Sequence, residues 1–122
     1  MKFVNPLPFV NDIERSKQFY ADTLRLAVLE DHGTFVKFEG GFAIHDGASL
    51  YRTVFGVADA ISTGYGRANL VLYFEDADLD KTYARISPEI DLIHAIRKEP
   101  WGQRVFRFFD PDRHVIELGE PQ

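Results

Sequence analysis

Two residues that can bind a metal ion or move a proton occupy matching places in two halves of the chain. His45 lies in the segment Ala-Ile-His-Asp-Gly, and Glu117 lies in Val-Ile-Glu-Leu-Gly. Imidazole and carboxylate groups bind divalent ions, and a carboxylate can also act as a general base. Two amides, Asn5 and Asn69, match in the same way, because each precedes an acidic helix-cap candidate by seven residues. The spacing indicates an internal repeat.

The elements that must position these residues also repeat, because each half is interpreted as a strand, a helix and three strands. In the first half we predict a strand over 2–10, a helix from 13 to about 24, and strands over 27–31, 34–39 and 42–45. In the second half we predict a strand over 67–75, a helix ending at Pro88, and strands over 91–98, 104–109 and 114–118. The fold class is therefore α+β, with modules at about 1–47 and 67–122 in a single domain over 1–122.

Local signals refine these elements. Asn11 and Asp12 are candidate caps of the first helix, and Glu14 completes a capping box with Asn11. Asp76 or Asp78 is expected to cap the second helix.

Composition excludes several functional classes. The 122 residues carry a net charge of −5 and no run of Lys or Arg, which argues against nucleic-acid binding. The absence of cysteine excludes disulfides, thiolate catalysis and cysteine-bound zinc. No apolar stretch approaches the length of a membrane span, and no signal-peptide pattern is present, so a cytoplasmic protein without membrane partners is expected.

The segment 48–66 has no clear period and contains the aromatic residues Tyr51 and Phe55. A long connection of this kind is often functional, so it is either a partial lid over a ligand or a plain crossover between modules. Trp101, the single tryptophan, lies in a predicted turn, where it either stacks on a ligand or covers the edge of a sheet.

The predicted strand over 104–109 contains Arg104 and Arg107 together with Phe106 and Phe108. This pattern predicts one basic face and one aromatic face. The basic face either binds an anionic ligand or forms salt bridges with the acidic surface. Arg113 follows Asp-Pro-Asp and is expected in a turn with positive φ.

Several motifs in order resemble the glyoxalase/bleomycin-resistance/extradiol-dioxygenase superfamily, the vicinal oxygen chelate fold. They are Val-Asn-Asp-Ile-Glu-Arg-Ser-Lys-Gln-Phe-Tyr at 10–20, Gly-Tyr-Gly at 64–66, Pro-Trp-Gly at 100–102, Asp-Pro-Asp at 110–112 and Val-Ile-Glu at 115–117. The resemblance covers essentially the whole chain. It implies two βαβββ modules that form a curved mixed sheet with a concave cleft, in which Asn5, His45, Asn69 and Glu117 converge.

In metal-dependent members of that superfamily, the four matching positions hold a divalent ion. Here only His45 and Glu117 are good ligands, because amide oxygens bind transition metals weakly. The resemblance therefore implies a homodimeric protein, most similar to the bleomycin-resistance type, that binds a small aromatic or amphipathic molecule without a cofactor. The expected ligand-binding residues are Asn5, His45, Tyr51, Phe55, Asn69, Trp101 and Arg104.

Two other functions stay open. The first is a metal-dependent lyase or dioxygenase, similar to lactoylglutathione lyase, in which His45 and Glu117 hold a divalent ion or Glu117 alone is the catalytic base. The second is an interaction module whose concave sheet binds another protein.

Overall fold

The computed structural model of the protein describes residues 1–59 and 64–122. The chain divides into two compact units, Met1–Tyr65 and Gly66–Gln122. Each unit contains a four-stranded mixed sheet, with strand order β1-β4-β3-β2 in the first and β5-β8-β7-β6 in the second. In both units the first and last strands pair in parallel and the remaining pairs are antiparallel. This equivalence confirms the predicted repeat and the α+β class.

The first unit contains the elements β1 (Phe9–Val10), α1 (Ile13–Gln18), a π-helical turn (Phe19–Thr23), β2 (Val28–Asp31), β3 (Phe35–Phe38), β4 (Phe42–Asp46) and α2 (Gly47–Phe55). Its core forms where the π-helical turn packs on the sheet. Tyr20 is fully buried there, with its ring centroid 4.8 Å from that of Phe42 and 5.9 Å from that of Phe38. Val36 and Ile44 complete the same apolar face.

The start of α1 differs from the predicted capping box. Asp12 is the cap residue, and its side chain accepts a hydrogen bond from the backbone N–H of Arg15 at 3.1 Å. The third helical position is therefore Arg15 rather than Glu14, so the reciprocal bond of a capping box does not form.

The second unit contains β5 (Val71–Glu75), α3 (Leu79–Ile86), β6 (Asp91–Lys98), β7 (Arg104–Phe109) and β8 (Val115–Gly119). Helix α3 begins after Asp78 and packs on one face of the sheet, where Tyr83 lies edge-on to Phe106 at 5.0 Å between ring centroids. Phe106, Phe108 and Ile116 are fully buried. The bounds of β6 and β7 match the predicted strands.

The first strand of each unit is shorter than predicted. Only Phe9–Val10 pairs in the first unit, because Pro6 and Pro8 have no N–H to donate to a ladder. In the second unit β5 begins at Val71, because Ala68 has a φ of 56°, which interrupts extended backbone. Asn5 and Asn69 therefore precede the strands on which they were expected.

The first part of the segment 48–66 is helix α2 rather than an irregular connection. Asp46 caps the helix by accepting the N–H of Ser49 at 3.0 Å, and Gly56 ends it with a φ of 76°. Tyr51 and Phe55 lie one turn apart with ring centroids at 4.7 Å. The predicted lid residues 60–63 lie outside the described residues.

The two faces of β7 also differ from the prediction. Arg104 is on the same face as Phe106, the face that α3 covers. This is seen from its guanidinium, which donates to Asp80 of the helix at 2.7 and 3.1 Å. Arg107 lies on the opposite face, beside Glu117 of β8. Side chains alternate along a strand, so residues three apart point to opposite faces and no single basic face exists. The positive φ expected at Arg113 is confirmed at 68°.

No helix among residues 1–59 and 64–122 combines the length and the apolar character that a membrane crossing requires.

Candidate functional site

Glu117 lies in the middle of a polar group on the second sheet. It pairs with Tyr73 of β5 on one side and with Arg107 of β7 on the other, and Arg107 in turn pairs with His94 of β6. Residues that pair across a sheet project to the same face. These four side chains therefore share the face opposite α3, which we call the Glu117 face.

Arg107 holds the carboxylate of Glu117 directly. Its Nε and Nη2 lie 2.7 and 2.6 Å from the same oxygen, Oε1. Both side chains are largely buried, with exposed fractions of 18% for Arg107 and 16% for Glu117. Among the described residues no hydrogen bond is made to the second oxygen, Oε2, so it is available to accept one from a bound molecule.

The hydrogen bonds of His94 define its tautomer. Its Nδ1 lies 2.8 Å from the carbonyl oxygen of Ala95, which can only accept, so Nδ1 carries the proton. Its Nε2 then accepts from Nη1 of Arg107 at 3.0 Å. Neutral His94 thus helps to hold the guanidinium against Glu117.

An ion pair continues this group toward the turn between β6 and β7. Arg97 contacts Glu99 at 2.6 Å, and Glu99 lies 3.5 Å from Nη1 of Arg107. The hydrogen bond from Arg97 is the main reason that the pKa of Glu99 lies below its ordinary value. The carboxylate therefore stays charged beside Arg107 at neutral pH.

A second network on this sheet joins Trp101 to Tyr73 through Gln103. The indole N–H of Trp101 donates to Gln103 at 2.9 Å, and the amide of Gln103 donates to the hydroxyl of Tyr73 at 2.8 Å. The hydroxyl donates in turn to Glu75 at 2.6 Å. Partial burial and the contact with Glu75 raise the pKa of Tyr73 above its ordinary value of 10.0.

His45 occupies the equivalent position in the first sheet, where its neighbours are aromatic. It pairs with Phe9 of β1 and with Phe35 of β3, and the Phe35 and His45 ring centroids are 6.2 Å apart. Its Nδ1 lies 2.9 Å from the carbonyl oxygen of Asp46. The matching of His45 with Glu117, inferred from the repeat, is therefore present in the strand registers.

The two amides make few contacts. Asn5 is half-buried and donates to the carbonyl of Pro6 at 2.9 Å, whereas Asn69 is exposed before β5. Within the described residues, Asn5 is not hydrogen-bonded to His45, and Asn69 is not hydrogen-bonded to Glu117. The convergence of all four residues stays a prediction.

The residues present do not fit a tightly bound transition-metal ion. No group of three His, Asp or Glu side chains that could hold a metal occurs in the part of the chain that the structure describes. Glu117 already has a guanidinium on one oxygen, and a metal on the other oxygen would place two cations beside one carboxylate. Neutral amides add little affinity for such ions.

Among the predicted ligand-binding residues, Arg104 lies on the face of its sheet opposite Glu117, where it is engaged with Asp80 and Glu120. Tyr51 and Phe55 are on α2 of the first unit. Beside α2 lies an open hollow of about 630 Å³ that neither aromatic residue lines. Its lining residues are Asn11, Asp46, Ala48, Ser49, Arg52, Thr53, Ala58, Asp59 and Tyr65.

Sequence reasoning missed Arg107, His94, Tyr73 and Gln103 as site residues. Arg107 could have been found by counting outward from the turn at 110–113, because an antiparallel pair with Phe109 opposite Val115 places Arg107 opposite Glu117. The contacts of Gln103 join three separate segments, and no local pattern encodes them.

Comparison with known proteins identifies the family. The model of the Glyoxalase-like domain family matches residues 3–122. The chain belongs to this family. The glyoxalase-like domain is also 30% identical over 125 residues to the uncharacterised protein YraH of Bacillus subtilis strain 168, with 97% of each chain covered. The predicted superfamily resemblance is confirmed.

Solved structures agree with this assignment. The glyoxalase-like domain has a TM-score of 0.96 and 55% identity to the crystal structure of a protein of unknown function from Agrobacterium tumefaciens strain C58, covering 100% of this chain and 95% of that one. A glyoxalase/bleomycin resistance protein/dioxygenase from Nocardioides gives a TM-score of 0.76 and 25% identity, covering 98% and 83%.

Proposed function

We propose that this glyoxalase-like domain binds a small aromatic or amphipathic molecule against the Glu117 face, without a catalytic metal ion. The observation that carries the proposal is the double donation from Arg107 to Oε1 of Glu117. The resemblance implies that Glu117 is a metal ligand, but here its carboxylate is paired with the guanidinium of Arg107 instead.

The chemistry of the Glu117 face, and of Trp101, which Gln103 links to Tyr73, supports this class of ligand. Trp101 and Tyr73 keep 55% and 46% of their surface exposed although their polar atoms are already bonded. Exposed rings with no free polar atom offer apolar and stacking contacts. Oε2 of Glu117 adds one acceptor for an N–H or O–H group of the ligand. Binding energy would come from apolar burial, and orientation from the carboxylate.

A ligand screen in the presence of EDTA tests the proposal. Compounds that carry an aromatic ring and a donor group, beginning with benzylamine and phenol derivatives, should raise the melting temperature of the wild type. A ligand at 100 times its Kd adds about 2.7 kcal/mol to the unfolding free energy. Binding should weaken in Glu117→Gln and in Trp101→Ala.

Glu89→Gln is the matched control, because Glu89 is an exposed carboxylate in the turn after α3 and is not part of the Glu117 face. This variant should bind as the wild type does. Ligands that bind Glu117→Gln and Trp101→Ala as tightly as the wild type would place the site elsewhere. Ligands that bind only after a divalent ion is added would favour the metal-dependent alternative.

A further inference from the structure

The side chain of Gln103 is a nearly buried amide, 5% exposed, whose hydrogen-bonding capacity is fully used. Its Oε1 accepts from Nε1 of Trp101 and from Nε2 of Gln122, each at 2.9 Å. Its Nε2 donates to the hydroxyl of Tyr73 at 2.8 Å and to the carbonyl of Glu120 at 2.7 Å. A primary amide has two N–H donors and two acceptor sites, so all four are occupied.

The partners of this amide allow only one orientation. The indole N–H of Trp101 can only donate, and the backbone carbonyl of Glu120 can only accept. A flipped amide would place a donor against the indole N–H and an acceptor against the carbonyl. Gln103 therefore holds the polar edges of Trp101 and Tyr73 in fixed places while the rings stay exposed.

Gly119 provides the space that the amide occupies. A Cβ atom at this position would lie 2.5 Å from Nε2 and 3.1 Å from Cδ of Gln103, and 3.1 Å from Cγ1 of Val105. The shortest of these contacts is the one with the amide. The glycine is in β8, between Glu75 and Val105 of the neighbouring strands. A glycine inside a strand weakens the strand unless another group approaches closely, and here that group is Gln103.

We infer that Gln103 is a positioning residue, which orients Trp101 and Tyr73 for the ligand, and that Gly119 acts through it. The role of Gln103 in ligand binding, unlike its positioning of the two rings, rests on the proposed function. Rings that are ordered before the ligand arrives need not lose freedom when it binds, which increases affinity. Gln103 itself has no free polar group to offer a ligand.

Fluorescence of the ligand-free protein tests the positioning, because Trp101 is the only tryptophan. In Gln103→Leu the indole loses its acceptor, so time-resolved anisotropy should show faster ring motion and acrylamide should quench the emission more strongly. Gly119→Ala should give the same two changes, although it leaves both Trp101 and Gln103 in place. If Gln103→Leu fails to fold, the anisotropy and quenching of Gly119→Ala alone test the positioning of Trp101.

Two further variants separate positioning from a general loss of structure. Tyr73→Phe should leave the indole signals unchanged, because Oε1 of Gln103 still accepts from Trp101. Adding Gly119→Ala to Gln103→Leu should produce no further change in the indole signals, since Gly119 affects the indole through the amide of Gln103. Unchanged anisotropy in Gly119→Ala, or additive effects in the double variant, would overturn the inference.

Ligand binding then distinguishes this inference from the proposed function. Benzylamine or phenol derivatives that bind the wild type should bind Gln103→Leu and Gly119→Ala more weakly. Altered anisotropy with no compound binding the wild type would contradict the proposed function but leave the positioning of Trp101 intact. Equal binding by all three proteins would overturn the role in ligand recognition.

Discussion

At the scale of single residues, the contact between Arg107 and Glu117 decides how this protein can use its most family-like carboxylate. Two N–H groups of Arg107 donate to one oxygen of Glu117, and His94 accepts a hydrogen bond from the third nitrogen of the guanidinium. On the other side Glu117 pairs with Tyr73, whose ring is exposed. A charged pair, its hydrogen bonds and an exposed aromatic ring therefore lie in one row of paired residues across the sheet.

Arg107→Met should lower the free energy of unfolding by about 1–3 kcal/mol, because it leaves a largely buried carboxylate without its charged donor. Urea denaturation at neutral pH measures the change. Adding Glu117→Leu should recover part of the loss, since a pair of apolar side chains has no unsatisfied charge. A single variant as stable as the wild type would show that the ion pair contributes nothing to the fold.

Among the secondary-structure elements, an ion pair connects helix α3 to the sheet. Arg104 of β7 binds Asp80 of α3 through two N–H groups at 2.7 and 3.1 Å, and it binds Glu120 at 3.2 Å. The hydrogen bonds from Arg104 lower the pKa of Asp80 below its ordinary value of 3.8. The pair therefore makes the stability of the second unit depend on pH.

The sign of that dependence follows from the lowered pKa. The pair stabilises the folded state fully above pH 3.8, and the contribution is lost as the pH falls through the lower, folded pKa. Asp80→Asn should therefore lose less stability than the wild type between pH 6 and pH 3, as measured by urea denaturation at each pH. Asp22→Asn, at an exposed position, is the control and should behave as the wild type. Identical pH profiles for Asp80→Asn and the wild type would contradict the account.

Sequence patterns predicted the elements well where local signals were strong. The strands over 91–98 and 104–109 correspond to the structure, because alternation and turn residues bound them clearly. Of the two predicted caps of α3, Asp78 precedes the helix directly, but its side chain makes no capping hydrogen bond. Helix α2 was missed although Asp46 offered a cap and Gly56 a C-terminal stop. The helix is short, and the segment 48–66 taken as a whole has no clear period, so the pattern indicated a connection rather than a helix.

The site was less predictable than the elements for a physical reason. Glu117 could be singled out by its motif, but its partner Arg107 depends on the register between two strands. Gln103 depends on the approach of Tyr73, Glu120 and Gln122 from distant parts of the chain. Contacts of that kind follow from tertiary packing, which a single sequence does not display.

At the scale of the whole molecule, the predicted homodimer stays a proposal with one supporting surface. The residues before β1 expose apolar side chains, with Phe3 81% and Val4 66% accessible. Apolar surface of this kind favours association with a second copy. Sedimentation velocity should give twice the chain mass, and Phe3→Ser should shift the protein toward the monomer. Phe55→Ser, which changes an exposed ring on α2, should not. A wild type that sediments as a monomer would contradict the proposal.

The repeat also explains how one architecture can carry different chemistry in its two halves. His45 lies between two phenylalanines in the first sheet, whereas Glu117 lies between a tyrosine and an arginine in the second. The equivalent strand positions are kept, but the side chains around them are not. Among the described residues, Glu117 has a charged partner, Arg107, whereas the equivalent His45 has none.

The metal content of protein purified without chelator tests whether Arg107, rather than a metal ion, is the cation beside Glu117. Elemental analysis should find far less than one divalent ion per chain, and His45→Ala and Glu117→Ala should leave that content unchanged, because Arg107 is already the cation on Glu117. One ion per chain in the wild type that is lost in both variants would contradict the account.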